Sequence, residues 1–140
     1  MIRSILKLTT SKVDTEKSIP YYEIFEYFEL ARIKLLEEIG LDQNTMVDND
    51  IHFLISTAKA SYITMLRSHE EIEVVSEIRD IHHNRLQVVY IVRRGENEID
   101  EIAEGKTVHS FVNAGGRKLR IPGMVQDILH KSWGDDFDDE

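Results

Sequence analysis

The chain has no cysteine, only two prolines, and no apolar run long enough to span a bilayer. The missing cysteine excludes disulfides, thiolate zinc sites, iron–sulfur clusters and thiol nucleophiles, and agrees with a reducing compartment. Positive charge is also scarce. Seventeen basic against 26 acidic residues leave a net charge of −9, which repels phosphate backbones, so nucleic acid is not an expected partner. Five of the last six residues are acidic, so the body through Gly134 carries only −4. This predicts one domain over 1–134 and an acidic tail over 135–140. Residues 1–7 lack the apolar core of about 7 to 15 residues that marks a signal peptide, and Lys59 and Arg93 interrupt the longer apolar stretches. The expectation is a soluble cytoplasmic protein with no membrane partner.

Several catalytic patterns are absent too. No serine sits in G-x-S-x-G, and the six histidines (His52, His69, His82, His83, His109, His130) show no H-E-x-x-H spacing, so no metal site is expected. His82 and His83 read as part of a hairpin turn, and His109 as a residue on the solvent face of a strand. Gly115-Gly116-Arg117-Lys118 lacks the spacing of a phosphate loop and reads as a turn.

What remains is an ordered alternation of elements. Ile2 to Leu8 has strand character, and a polar loop follows to Ser18. Pro20 stands where a first helical turn begins, and Ile24, Phe28, Ala31, Leu35 and Ile39 recur at steps of three or four up to Gly40. Phe25, Tyr27, Leu30, Ile33 and Leu36 make the other flanks apolar, so this helix should be largely wrapped by other structure. After a polar link from Asp42 to Asp50, the runs Ile51 to Met65, Glu70 to Ile81, Leu86 to Arg94 and Glu101 to Val112 are rich in strand formers and predict an antiparallel meander. A short helix beginning near Met124 packs Leu129 and Trp133 onto the body. The pattern is α+β, one long hydrophobic helix against an antiparallel sheet of about five strands. One helix cannot cover both faces of such a sheet, which predicts a homo-oligomer, a dimer or a tetramer.

Among the titratable residues Asp14 stands out, a carboxylate just before a helix N-terminus whose free amides suit acyl chemistry. Glu16 and Asp14 are equivalent on composition alone.

The helix segment Ile24 to Arg32, read I-F-E-Y-F-E-L-A-R, resembles the Y-L-x-[YF]-F-E-x-A-R segment of the 4-hydroxybenzoyl-CoA thioesterase family, which has the hot-dog fold. Ala103 to Val112 is similar to that family's last strand, Arg120-Ile121-Pro122 to its close, and Tyr62 to Arg67 to its Y-x-x-P-x-R loop, with Met65 in the Pro position. The resemblance implies an acyl-CoA thioesterase that releases a free acid and coenzyme A. Coenzyme A is then part of the substrate and no cofactor is needed. Counting back nine residues from Glu23, which holds the family's Asn position, selects Asp14 as nucleophile or general base. The backbone amide of Tyr21 matches the oxyanion donor at the helix terminus. Arg67 and the turn His82, His83, Asn84 and Arg85 match coenzyme A contacts, with each site shared across a dimer. Lys17 to Glu23 departs from the family's G-x-V-x-[HN]-x-N stretch, which motivates the alternative of a non-catalytic acyl-CoA-binding or scaffolding protein.

Overall fold

A computed structural model of the chain describes residues 2–12, 19–82, 84–95 and 100–133. Strand β1 (Arg3–Thr9) leads to the long helix α1 (Glu23–Glu38) and a short α2 (Gln43–Asp48). Strands β2 (His52–Tyr62), β3 (Glu71–His82), β4 (Arg85–Arg93) and β5 (Glu101–Val112) follow, then the two-residue β6 (Lys118–Leu119) and α3 (Gly123–Trp133). All pairings are antiparallel, in the order β1-β3-β4-β5-β2, with β6 beside the end of β5.

The expected meander holds for β3, β4 and β5 only. β2 leaves its sequence neighbour and pairs β5 at the far edge, and β1 takes the place beside β3. The connections account for this. Two residues join β3 to β4, a hairpin length, whereas eight separate Tyr62 from Glu71 and let β2 cross to the other edge.

Helix α1 begins at Glu23, three residues after Pro20, because the Pro20 carbonyl is taken by the Glu23 amide (3.0 Å) in a turn. It stops where the sequence predicts. Gly40 adopts φ +89° and closes a Schellman motif, its amide on the Glu37 carbonyl and the Leu41 amide on that of Leu36. Helix α2 falls in the link read from sequence only as polar. Six residues are too few to show a period, but Asp42 caps them, accepting from the Thr45 amide and hydroxyl.

The sheet curls around one side of α1. Ile24, Phe28, Ala31 and Leu35 are buried against alternate residues Ile72, Val74 and Ile78 of β3, Val88, Tyr90 and Val92 of β4, and Ala103 and Phe111 of β5. Gly105 makes the close approach possible, since a Cβ there would stand 2.4 Å from the Phe28 ring and 2.6 Å from the Lys59 carbonyl. Phe28 stacks on Tyr90 at 4.3 Å between centroids. A bulge in β2 between Ile55 and Thr57 shifts its phase, so that Phe53 and Ala60 both pack on the core. Leu129 of α3 is fully buried and Trp133 packs at its edge, as expected.

The helix is not wrapped on every side. Within one chain Phe25, Leu30 and Ile33 stay exposed, as do Leu54 and Ile55 on the edge strand β2. Among the described residues no helix is long and apolar enough to cross a membrane.

Candidate functional site

Polar groups converge where α1 begins. Ser11, just past β1, donates its amide to the Tyr27 hydroxyl (3.3 Å) and its own hydroxyl to Glu23 Oε1. Glu23 and Tyr27 lie one helical turn apart and so face the same way. The second oxygen of Glu23, Oε2, is buried and has no partner among the described residues. Opposite, Tyr62 at the end of β2 donates its hydroxyl to the Tyr21 carbonyl at 2.6 Å. Burial, with Tyr27 and Glu23 nearby, pushes the Tyr62 phenol up to about 12, so it remains a donor throughout the working pH range. Burial also raises the Tyr27 phenol, against the Ser11 hydrogen bonds that lower it.

An open cleft of about 470 Å³ lies beside this cluster, walled by Ile19, Pro20 and Tyr21 on one side and by Tyr62 to Leu66 on the other. Its second wall is anchored at many points. The Ile63 and Thr64 amides share the Ile102 carbonyl, Arg94 reaches the Met65 carbonyl (3.0 Å), and the Thr10 hydroxyl donates to the Arg67 carbonyl (2.6 Å). Glu70 ties these together, accepting from Arg94 Nε and the Arg67 amide while donating its own amide to Thr10. The wall is therefore a fixed surface despite its loop conformation.

The predicted site residues are only partly united here. Tyr21 lies in the turn before α1, three-quarters exposed, and its amide has no acceptor among the described residues. An amide donor at this position is what acyl chemistry calls for. Asp14 and Glu16 lie outside the described residues. Arg67 enters the cleft's wall through its backbone, with an exposed side chain. His82 and Arg85 face each other across the β3–β4 hairpin, Asn84 forms the turn, and His83 lies outside the described residues. Within one chain this hairpin sits at the other end of the sheet. Tyr62 is level with Val74 of β3, and the eight residues from there to His82 span about 26 Å of strand.

His109 corrects the sequence reading. It faces the core rather than solvent and is fully buried, because β5 turns Thr107, His109 and Phe111 toward α1. It ends a chain of polar side chains in which Arg32 donates to the Tyr90 hydroxyl (3.2 Å), Tyr90 meets Thr107 (2.7 Å) and Thr107 meets His109 Nε2 (2.7 Å). Arg32 only donates, so a run of hydroxyl protons from Tyr90 through Thr107 to Nε2 uses every hydroxyl, and Nδ1 has no partner among the described residues. Burial, helped by the Arg32 charge, lowers the His109 pKa to about 3, so the ring is neutral and cannot act as a proton shuttle near neutral pH. Arg32 also borders a second cavity, of about 310 Å³, between α1, α2 and the start of β2, otherwise lined mainly by apolar residues such as Leu36, Met46 and Phe53. Among the described residues no group of three or more His, Asp or Glu side chains is placed to hold a metal ion.

Sequence reasoning passed over Thr10, Tyr27, Tyr62, Glu70 and Arg94. Of these, Tyr27 carried a local signal in its i,i+4 spacing from Glu23, and Tyr62 opened the loop that resembles Y-x-x-P-x-R without being given a role. Thr10 and Arg94 act through contacts between residues far apart in sequence, as does Glu70 apart from its bond to the Arg67 amide.

Solved structures of the same architecture are numerous. A DHNA-CoA thioesterase from Staphylococcus aureus superposes with a TM-score of 0.81 at 18% identity, over 95% of this chain and 89% of that one. A 1,4-dihydroxy-2-naphthoyl-CoA thioesterase from Synechocystis gives 0.79 at 13% identity, over 97% and 99%. A Staphylococcus aureus protein solved in complex with CoA gives 0.80 at 12% identity, over 95% and 86%. At such identities the likeness establishes the hot-dog fold. A search of curated proteins finds no match to this chain. The model of the thioesterase-like superfamily matches residues 22–129, from the turn before α1 into α3. The chain therefore belongs to the thioesterase-like superfamily, a thioester hydrolase built on the hot-dog fold.

Proposed function

We propose that the protein hydrolyses acyl-CoA thioesters, with Asp14 as nucleophile or general base and the Tyr21 backbone amide as oxyanion donor. The observation that carries this reading is the open cleft at the start of α1 lined by Tyr21, whose amide has no acceptor among the described residues. In the general-base form, the Asp14 carboxylate takes a proton from water as the water oxygen adds to the thioester carbonyl carbon. The Tyr21 N–H then stabilises the oxyanion, and collapse breaks the C–S bond. The thiolate of coenzyme A leaves and takes up a proton, and the acid is released.

The reading includes a homodimer. β2 is an edge strand of 11 residues with Leu54 and Ile55 exposed, a pattern that invites pairing with a second copy. Antiparallel pairing centred on Thr57 sets Tyr62 of one copy beside His52 of the other. The cleft of one protomer then opens toward the Arg32 cavity of the second, where an acyl group fits, and toward its His82–Arg85 hairpin, where the nucleotide end of coenzyme A fits. Such a dimer supplies what a single chain separates by about 26 Å. Localisation in the cytoplasm is consistent with a coenzyme A substrate and with the absence of cysteine.

The test is release of free thiol from a panel of acyl-CoA substrates of differing chain length and head group. Turnover on some members with little on others is the expected result. A flat response across the panel overturns the hydrolase reading in favour of acyl-CoA binding without turnover.

A further inference from the structure

Tyr62 reaches the turn before α1 from an unusually firm base. Its backbone pairs Ala103 in β5, and the next two amides, of Ile63 and Thr64, both bond the Ile102 carbonyl at 2.8 and 3.1 Å. The phenol is thus an arm fixed to the sheet. Its hydroxyl takes the Tyr21 carbonyl at 2.6 Å, a carbonyl that lies just before the N-cap Tyr22 and outside the helix's own bonds. The Phe25 amide bonds the Tyr22 carbonyl (3.1 Å), a tight first turn that leaves the Tyr21 carbonyl to Tyr62. Pro20 removes one donor from this stretch, and no acceptor among the described residues takes the Tyr21 amide. The two peptide planes that meet at Tyr21 are linked by its φ and ψ alone, so pinning the carbonyl of one restricts the direction of the N–H in the other.

We infer that Tyr62 is a positioning residue, holding the turn at Tyr21 so that the Tyr21 amide points into the cleft as oxyanion donor. The inference rests on the thioesterase reading and adds to it the group that aims the donor. Tyr62 transfers no proton in this role. It acts before the reaction, by removing the freedom that a solvent-exposed turn would otherwise have.

The experiment is Tyr62→Phe in the full-length protein, which keeps the ring and deletes only the hydroxyl. Loss of one well-placed oxyanion donor costs about 100- to 1,000-fold in kcat, and loss of its aim is expected to cost less, about tenfold. KM, the affinity for a non-hydrolysable acyl-CoA thioether, the pH profile and the melting temperature should stay close to wild type. Amide exchange followed by mass spectrometry should quicken in peptides covering residues 19–25 and nowhere else. Wild-type kcat in the variant, or unchanged exchange over 19–25, overturns the inference. A changed pH profile overturns it as well, since Tyr62 would then be an acid or base. If the wild type hydrolyses no thioester while exchange over 19–25 still quickens in the variant, the clamp stands and the thioesterase reading falls.

Discussion

At the start of α1, Ser11, Glu23, Tyr27 and Tyr62 meet beside an open cleft, with the Tyr21 amide and Glu23 Oε2 lacking a partner among the described residues. Nine residues further along the same helix, Arg32 enters a chain through Tyr90 and Thr107 to His109 that is sealed under the helix. Both assemblies hold the residue types from which active sites are made, and the second has the histidine. Burial decides between them. In the sealed chain the hydroxyls pair with one another and with Nε2, the imidazole is held neutral, and the chain ties α1 to the sheet away from the cleft. At the helix start Tyr21 and Tyr62 line a cleft that a substrate can enter. The proposed chemistry therefore belongs at the end of the helix that borders a cleft.

Substitutions at the two ends should separate activity from stability. The largest effect is expected at the open end, where Asp14→Asn keeps the shape but removes the base and should lower kcat about 100-fold or more. Glu16→Gln should change it far less, and the melting temperature should hold in both. A reversed ranking in thiol-release assays would place the essential carboxylate two residues later than the resemblance does. At the sealed end, Thr107→Val strips a partner from both Tyr90 and His109 and should cost about 1–3 kcal/mol of stability. The melting temperature should drop by several degrees while kcat per folded molecule is unchanged. A loss of turnover larger than the loss of folded protein would mean that the two ends are coupled.

The His109 pKa sharpens the contrast through pH. The folded value, about 3, lies below the ordinary 6.5, so on acidification the unfolded chain binds a proton that the folded chain refuses. This contribution to stability is complete above pH 6.5 and is lost as the pH falls toward 3, at up to about 1.4 kcal/mol per pH unit. Denaturant midpoints between pH 6.5 and 5, above the carboxylate range, should fall in the wild type. They should stay level in His109→Leu, whatever its absolute stability. The smallest effect belongs to residues 135–140. Their removal should alter neither melting nor turnover, because the acidic run follows the matched region and Trp133, which packs on the core, is retained.

Much of the fold was legible locally. The three- and four-residue spacing from Ile24 to Ile39, the stop at Gly40 and the strand-forming runs after Ile51 are properties of neighbouring residues, and each appeared near its predicted place. The Asp42 cap was equally local, but six residues were too few to give α2 a period. Strand order was not legible. It turned on whether Tyr62 to Glu71 closes a hairpin or crosses the sheet, and nothing within those residues decides between the two.

The candidate site divides in the same way. The sequence by itself determined the apolar spacing of α1 and its stop at Gly40, because these are one-dimensional information, whereas Asp14 and Tyr21 are proposed only through the family resemblance. Only the tertiary structure decided that His109 is buried and neutral, that Glu23 and Tyr27 share Ser11, and that Tyr62 holds the Tyr21 carbonyl. Each of those depends on which residues distant in the chain come within about 3 Å of one another and on how much water is excluded around them, and both are set by how the sheet closes on the helix.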